Sequence, residues 1–485
     1  MRIDQLSPAG AVTSLQSNPS GLSQAEVARR LREFGPNRVE EVARAPILLR
    51  FVKEFISAND RGGTESAIPG RASYHHARNG RMTRDLPAHV SLLFMLCAAV
   101  LIWAPAAAAR SAGQAARWSA FTQLFDAASD GDKIVGAGVV MVRDGHVIAH
   151  HEHGYADRAR GVRVTPQTIY HYGSITKTLT AIAIMQLRNR GRLSLDDRIT
   201  SYIPELRQVH DPFGSMDAIT IRMLLSHSAG FQDPTWPYKQ GKPWEPFEPT
   251  TWNQLVAMMP YQEIAFEPGS RFSYSNPAFI YLARIIEQLS GDPWESYVQK
   301  NIFNPLGLTR SYFGITPYYL AADRSHNYTR LMDQTGAEVV ADNGADFDPG
   351  ITMPNGGWNA PLGDLATYLG FLTNAVHGER ATQQLYDTVL PHSTLIEMWQ
   401  PLFKIEQDGS SVEEDTVGLS FFSVRHGRTT FVGHTGNQAG FRAFLFLNPV
   451  TGDGIVAAFN TDSALPAAQP SAFQRIRDAA LELIQ

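Results

Sequence analysis

Cysteine is nearly missing from this 485-residue chain: Cys97 is the single one, and it lies inside an apolar run. The residues before it make no lipoprotein-type cleavage box. Everything downstream can hold no disulfide, so its stability has to come from a large core. Charge of one sign is scarce as well. With 42 Lys and Arg against 47 Asp and Glu, the net charge is −5, and nothing in it suggests a nucleic-acid partner. Long apolar runs are scarce too, since only Val90 to Trp103 stands out, which excludes a bundle of membrane spans. What is present is a composition of 44% hydrophobic and 18% charged residues, ample for one large or several ordinary globular units.

The densest chemistry lies in Tyr172-Gly173-Ser174-Ile175-Thr176-Lys177, followed by the apolar run Leu179 to Met185. Ser174 and Lys177, three apart at the start of a helix, share one face within hydrogen-bonding reach. A serine hydroxyl is a weak nucleophile at its free pKa, and a neighbouring lysine whose charge is disfavoured by desolvation can take its proton. The helix N-terminus adds free N–H groups that favour negative charge on a substrate oxygen. This is the only S-x-x-K in the chain.

Two further segments supply partners. Glu267 to Pro277 is a turn-rich loop that delivers Tyr274, Ser275 and Asn276 ahead of a helix expected from Ala278 to Leu289. Near the C-terminus, Val417 to Arg425 and Thr429 to Gly433 read as strands, the second giving way to His434-Thr435-Gly436-Asn437. The glycine there lets a substrate backbone lie close to the strand edge.

Ser174-x-x-Lys177, Tyr274-Ser275-Asn276 and His434-Thr435-Gly436, in this order, resemble the penicillin-recognising serine hydrolases: class C β-lactamases, D-alanyl-D-alanine carboxypeptidases, D-aminopeptidases and related esterases. Leu224-Leu225-Ser226-His227-Ser228-Ala229-Gly230 is similar to the family's L-L-x-H-x-x-G segment, and Gly356-Gly357-Trp358 with Gly363-Asp364-Leu365-Ala366 to its G-G-x and x-D-L-A segments. The likeness runs from about Phe121 to the C-terminus. It implies an α+β fold, an antiparallel sheet flanked by helices with a mostly helical insert, and no cofactor or metal. It also implies roles: Ser174 as acylated nucleophile, Lys177 and Tyr274 sharing general-base work, and Tyr274 returning the proton to the leaving group. The N–H groups of Ser174 and Asn437 would form the oxyanion hole, with Asn276, His434, Thr435 and Gly436 binding substrate or holding Lys177. His434 stands where β-lactamases usually carry lysine. Histidine there resembles the carboxypeptidase and esterase members, weakens the expectation of efficient β-lactam hydrolysis, and makes activity sensitive to pH near neutrality. Arg425, Arg428 and Arg442 are all candidates for a substrate-carboxylate clamp. The implied partner is a small-molecule or peptide substrate, cell-wall peptide among the candidates; oligomeric state is not legible.

Upstream, residues 1–56 form a separate piece. Gly21-Leu22-Ser23, Arg30-Leu31 and Phe34-Gly35-Pro36-Asn37 resemble the small N-terminal domain of cation-transporting P-type ATPases, but no D-K-T-G phosphorylation sequence occurs in the chain. Residues 57–81 suit a flexible linker. Residues 82–109, with Arg84, an apolar core and the small-residue end Ala104-Pro105-Ala106, describe a secretory signal peptide placed far from Met1. If uncleaved, residues 90–109 suit a single membrane helix with Arg78, Arg81 and Arg84 on the cytoplasmic side. Either route puts the hydrolase region, 115–485, outside the cytoplasm, periplasmic, extracellular or anchored. Within it, Asp144-Gly145 between apolar runs predicts a hairpin. His150, His151 and His153 read as residues of a solvated strand face rather than metal ligands, and Trp236 to Trp252 as a loop that could wall a cleft. A non-catalytic scaffold that keeps the fold, and a membrane-tethered accessory of an ion pump, stay open as other functions.

Overall fold

The computed structural model describes residues 113–231, 249–374, 379–405, 414–465 and 470–485. The expectations for residues 1–56, 57–81 and 82–109, and most of the Trp236 to Trp252 loop, lie outside the described residues. Among the described residues, no helix is long and apolar enough to cross a membrane.

Two stretches of chain far apart in sequence build one nine-stranded antiparallel sheet. The first contributes β1 (Gly136–Arg143), β2 (His146–Asp157) and β3 (Val162–Arg163). Asp144 and Gly145 join β1 to β2 with φ of 50° and 75°, the left-handed pair that a two-residue hairpin turn of this twist requires. Between the two stretches lie the short strands β4 (Ile169–His171), β5 (Tyr312–Phe313), β6 (Tyr328–Met332), β7 (Glu338–Asp342) and β8 (Trp358–Pro361). The second stretch contributes β9 (Phe403–Lys404), β10 (Glu414–Val417), β11 (Phe422–His426), β12 (Thr429–Gln438), β13 (Phe441–Leu447) and β14 (Gly454–Phe459), with β15 (Thr461–Ser463) after them. The order across the sheet is β3-β2-β1-β14-β13-β12-β11-β10-β9, so β1 pairs with β14 in register from Ala137↔Phe459 to Val142↔Gly454. The small sheets β4-β8-β5 and β15-β6-β7 sit within and beside the middle section, which is otherwise mostly helical.

Side chains alternate across the large sheet and define two cores. On one face Ala137, Val139, Phe444, Phe446, Ala457 and Phe459 pack against a helix over 113–131 and the terminal helix Ala472–Leu483. On the other face Val140, Phe441, Ala443, Leu445 and Val456 join the larger core of the helical section. There the helix Thr176–Asn189 is enclosed: Leu179, Ile182, Ile184 and Met185 are all buried. At about 1.5–3 kcal/mol for each large side chain removed from water, this single helix contributes heavily to the fold. The architecture is therefore α+β, an antiparallel sheet between helical layers.

Three local expectations need correction. The strand expected to end at Gly433 runs on as β12 to Gln438, so His434, Thr435, Gly436 and Asn437 are strand residues paired with β13. Polar residues conceal a strand because they break the apolar alternation by which strands are recognised. The run expected as one strand from Val417 to Arg425 is broken at Gly418–Phe421; a Cβ on Gly418 would sit 2.3 Å from the Met398 carbonyl oxygen. Finally, His151 and His153 are not on a solvated face. Both grip Asp126 of the 113–131 helix, at 2.9 and 3.0 Å, while His150 faces solvent beside Glu152.

Candidate active site

Gly173, at φ +49°, turns the chain out of β4 into a short 3-10 turn, Gly173–Ile175, that runs straight into the helix Thr176–Asn189. Thr176 fixes this entry, its hydroxyl donating to the Gly173 carbonyl (2.6 Å) and accepting from the Trp358 N–H (3.0 Å). Ser174 is thereby held half-buried at the head of the helix, and Lys177, one turn on, is fully buried.

The Lys177 ammonium has three donors, and three acceptors meet them. Nζ donates to Ser174 Oγ (3.1 Å), to Asn276 Oδ1 (2.6 Å) and to the Asn355 carbonyl (2.9 Å). It also lies 4.9 Å from the centre of the Tyr274 ring, an attraction of cation to ring face. Asn276 opens the helix Asn276–Ser290, two residues earlier than its apolar spacing suggests, because Ser275 caps it by accepting from the Ala278 N–H. Asn355 Nδ2 donates to Asn276 Oδ1 as well (3.2 Å). Asn355 is a site residue that motif reading missed. Its contribution to Lys177 is a backbone carbonyl, which carries no residue signature, although Gly356 and Gly357 beside it marked the segment.

Strand β12 closes the other side. Val432 belongs to the core on the helical face and Phe431 to the opposite one, so His434, Gly436 and Gln438 face the site. A Cβ on Gly436 would fall 1.9 Å from the Tyr172 carbonyl oxygen and 3.4 Å from the Ser174 nitrogen; one on Gly173 would fall 2.9 Å from the Asn437 nitrogen. Both glycines are thus demanded by backbone contact, and the N–H groups of Ser174 and Asn437 come to one edge. Thr435, expected to bind substrate, pairs in register with Phe444 of the opposite core, so the same alternation sends its half-buried side chain to the other face of the sheet. Gln438 is held from below by His171, which also contacts Asn359 (2.9 Å). Burial depresses the His171 pKa to about 4, so the ring is neutral.

His434 is buried against Phe422 (4.9 Å, edge-on), and its Nδ1–H donates to the Thr435 carbonyl (2.5 Å). Burial, with the nearby Lys177 charge, holds its pKa at about 3. The expected titration of His434 near neutrality is therefore not met: this imidazole stays neutral. Nor do the three candidate arginines form a clamp. Arg442 pairs in register with Asn437, but its guanidinium lies over Phe473 on the opposite face of the sheet, 3.7 Å from Asp462. Arg425 is exposed near Asp415 and opposite Thr430, four residues before His434 and roughly 13 Å along the strand at 3.3 Å per residue. Arg428 sits in the turn between β11 and β12.

Known proteins resemble this chain over the same region. Protein flp of Staphylococcus aureus is 23% identical over 330 residues, 68% of this chain and 60% of that protein, so the chain spans less than two thirds of this relative. Among solved structures, the octameric penicillin-binding protein homologue from Pyrococcus abyssi is 26% identical, covers 76% of this chain and 77% of its own, and superposes with a TM-score of 0.59. The D-stereospecific amidohydrolase from a Streptomyces species is 25% identical, covers 75% of this chain and 98% of its own, with a TM-score of 0.57. Residues 3–58 are similar to the cation transporter/ATPase N-terminus family, which covers a small part of the chain. Residues 121–480, which carry the buried Lys177, its serine and the glycine-lined strand, match the beta-lactamase family, and the chain belongs to that family.

Proposed function

We propose that this protein is a serine hydrolase that works through an acyl-enzyme on Ser174. The observation that carries the reading is the Lys177 ammonium bonded at once to Ser174 Oγ (3.1 Å) and Asn276 Oδ1 (2.6 Å), under the ring of Tyr274. Ser174 Oγ attacks the substrate carbonyl carbon while its proton passes to the Lys177–Tyr274 pair, which enters the step one proton short, since a full ammonium beside a phenol offers no basic lone pair. The oxyanion that forms is met by the N–H groups of Ser174 and Asn437. The bond to the leaving amine or alcohol then breaks as that group takes the proton, and water releases the acyl group from Ser174.

The substrate class is an ester, a D-amino-acid peptide or amide, or a lactam. The positions of Arg425, Arg428 and Arg442 favour substrates that need no carboxylate clamp, hence ester and amide over peptides cut at a free C-terminus. We also infer export, with residues 82–109 as the leader. Intact-mass spectrometry after incubation with a fluorescent penicillin, and separately with a short-chain p-nitrophenyl ester, tests the mechanism. A covalent adduct on Ser174, lost in Ser174→Ala together with turnover, is expected; turnover retained by Ser174→Ala refutes it. The mature N-terminus, read in the same spectrum, tests export.

A further inference from the structure

His227 belongs to none of the groups that surround the reacting serine, yet it holds the segment that carries Tyr274 at three points. Its backbone adopts φ +56°, the left-handed region that non-glycine residues seldom occupy and that costs of order 1 kcal/mol. That turn aims both its carbonyl and its ring at one short strand of chain. The Ser273 N–H donates to the His227 carbonyl (2.8 Å), and the Ser275 N–H donates to His227 Nδ1 (3.0 Å). Between those two bonds lies Tyr274, whose ring stacks on the imidazole at 4.5 Å and 20°. The imidazole is buried, with Phe279 at 5.0 Å.

Resting on the reading of Tyr274 as a proton carrier, we propose that His227 is a positioning residue: a neutral imidazole that uses Nδ1 as acceptor to fix the backbone and ring of Tyr274 beside Lys177. The tautomer follows from the bond. An N–H cannot donate to a protonated nitrogen, so Nδ1 keeps its lone pair and the proton sits on Nε2. An imidazolium would set two donors against each other at Ser275 and push the connector away. Burial and the Lys177 charge both oppose that form, lowering the pKa of His227 well below its ordinary value. The ring lies behind Tyr274, so its effect on the reaction passes through the tyrosine.

The test uses two substitutions in the full exported protein. Asparagine offers Oδ1 where histidine offers Nδ1 and tolerates positive φ; phenylalanine keeps the stacking ring and removes the acceptor. For His227→Phe, kcat for the p-nitrophenyl ester should fall by about ten- to hundredfold at nearly unchanged KM, the cost of a misplaced proton carrier. His227→Asn should stay within about threefold of the parent, since the acceptor is kept. A Phe variant with parental kcat, or an Asn variant as impaired as the Phe variant, overturns the proposal. Where either variant fails to fold, the parent protein decides. With selective 15N-histidine labelling, the His227 signal should report the Nε2–H tautomer from pH 5 to 9; an Nδ1–H tautomer or an imidazolium in that range overturns the assignment. The spectrum needs no turnover, so it separates failure of this inference from failure of the acyl-enzyme reading, which Ser174→Ala addresses.

Discussion

The α-carbon of Gly436 is packed so closely on the Tyr172 carbonyl that an added Cβ would lie 1.9 Å from the oxygen. The obstacle is backbone on both sides, with no side chain free to swing away. Gly436→Ala must therefore part β12 from the Gly173–Ile175 turn. We expect a loss of about 1–3 kcal/mol in stability, the range for overpacking, and a fall in kcat larger than the change in KM. Thermal denaturation with steady-state kinetics checks both.

Lys177 is buried with three acceptors around its amino group, so its removal leaves polar groups unpaired as well as removing a member of the pair proposed to take the serine proton. Lys177→Met should cut turnover by about 10²–10⁴-fold while leaving a folded protein. Burst kinetics with the ester substrate would register this as a slowed acylation phase. An unchanged burst rate would exclude Lys177 from proton transfer.

Buried imidazoles make the fold acid-sensitive. His171 and His434 carry pKa values of about 4 and about 3, below the ordinary 6.5 that they regain when the chain unfolds. Above pH 6.5 neither state binds their protons, and stability is indifferent to pH on their account. Below it the unfolded chain takes up protons that the folded chain refuses until about pH 4 or 3, so stability falls through that window. Each histidine adds up to about 1.4 kcal/mol per pH unit to the slope. His434→Asn should flatten the dependence between pH 6.5 and 3, measured by urea unfolding at a series of pH values. An unaltered slope would show that His434 is protonated in the fold.

Arg442 offers the sharpest test of specificity. Its guanidinium lies over Phe473, and Asp462, which it approaches at 3.7 Å, also accepts from Asn437 Nδ2 (2.9 Å). Arg442→Ala should leave the ratio of kcat/KM for a neutral ester to that for a substrate ending in a free carboxylate within about threefold, since no clamp is lost. A selective drop for the carboxylate substrate would return Arg442 to that role.

Motif reading reached the parts of the site whose chemistry is written in side chains at fixed spacing. Ser174 and Lys177 needed only one turn of helix to meet, and Asn276 converges on them. What escaped was written elsewhere. The Asn355 carbonyl is anonymous backbone, and the grip of His227 on Ser273 and Ser275 joins segments some 48 residues apart in sequence. The fate of the three arginines turned on strand parity: Arg442 lies opposite Asn437, yet alternation sends its guanidinium to the other side of the sheet. His151 and His153 resembled solvent-facing residues because the carboxylate they hold, Asp126, comes from a separate helix.

The pairing of β1 with β14 also sets a clock. β1 is made early, but its partner on one side, residues 454–459, leaves the ribosome only after some 300 further residues, at 5–20 residues per second. Until then one edge of β1 is open, and β12, which closes the site against Ser174, is itself made only shortly before residues 454–459. The nascent chain therefore cannot hydrolyse anything during most of its synthesis. A chain with this strand order completes its large sheet, and with it the cleft around Ser174, only when its last strands arrive.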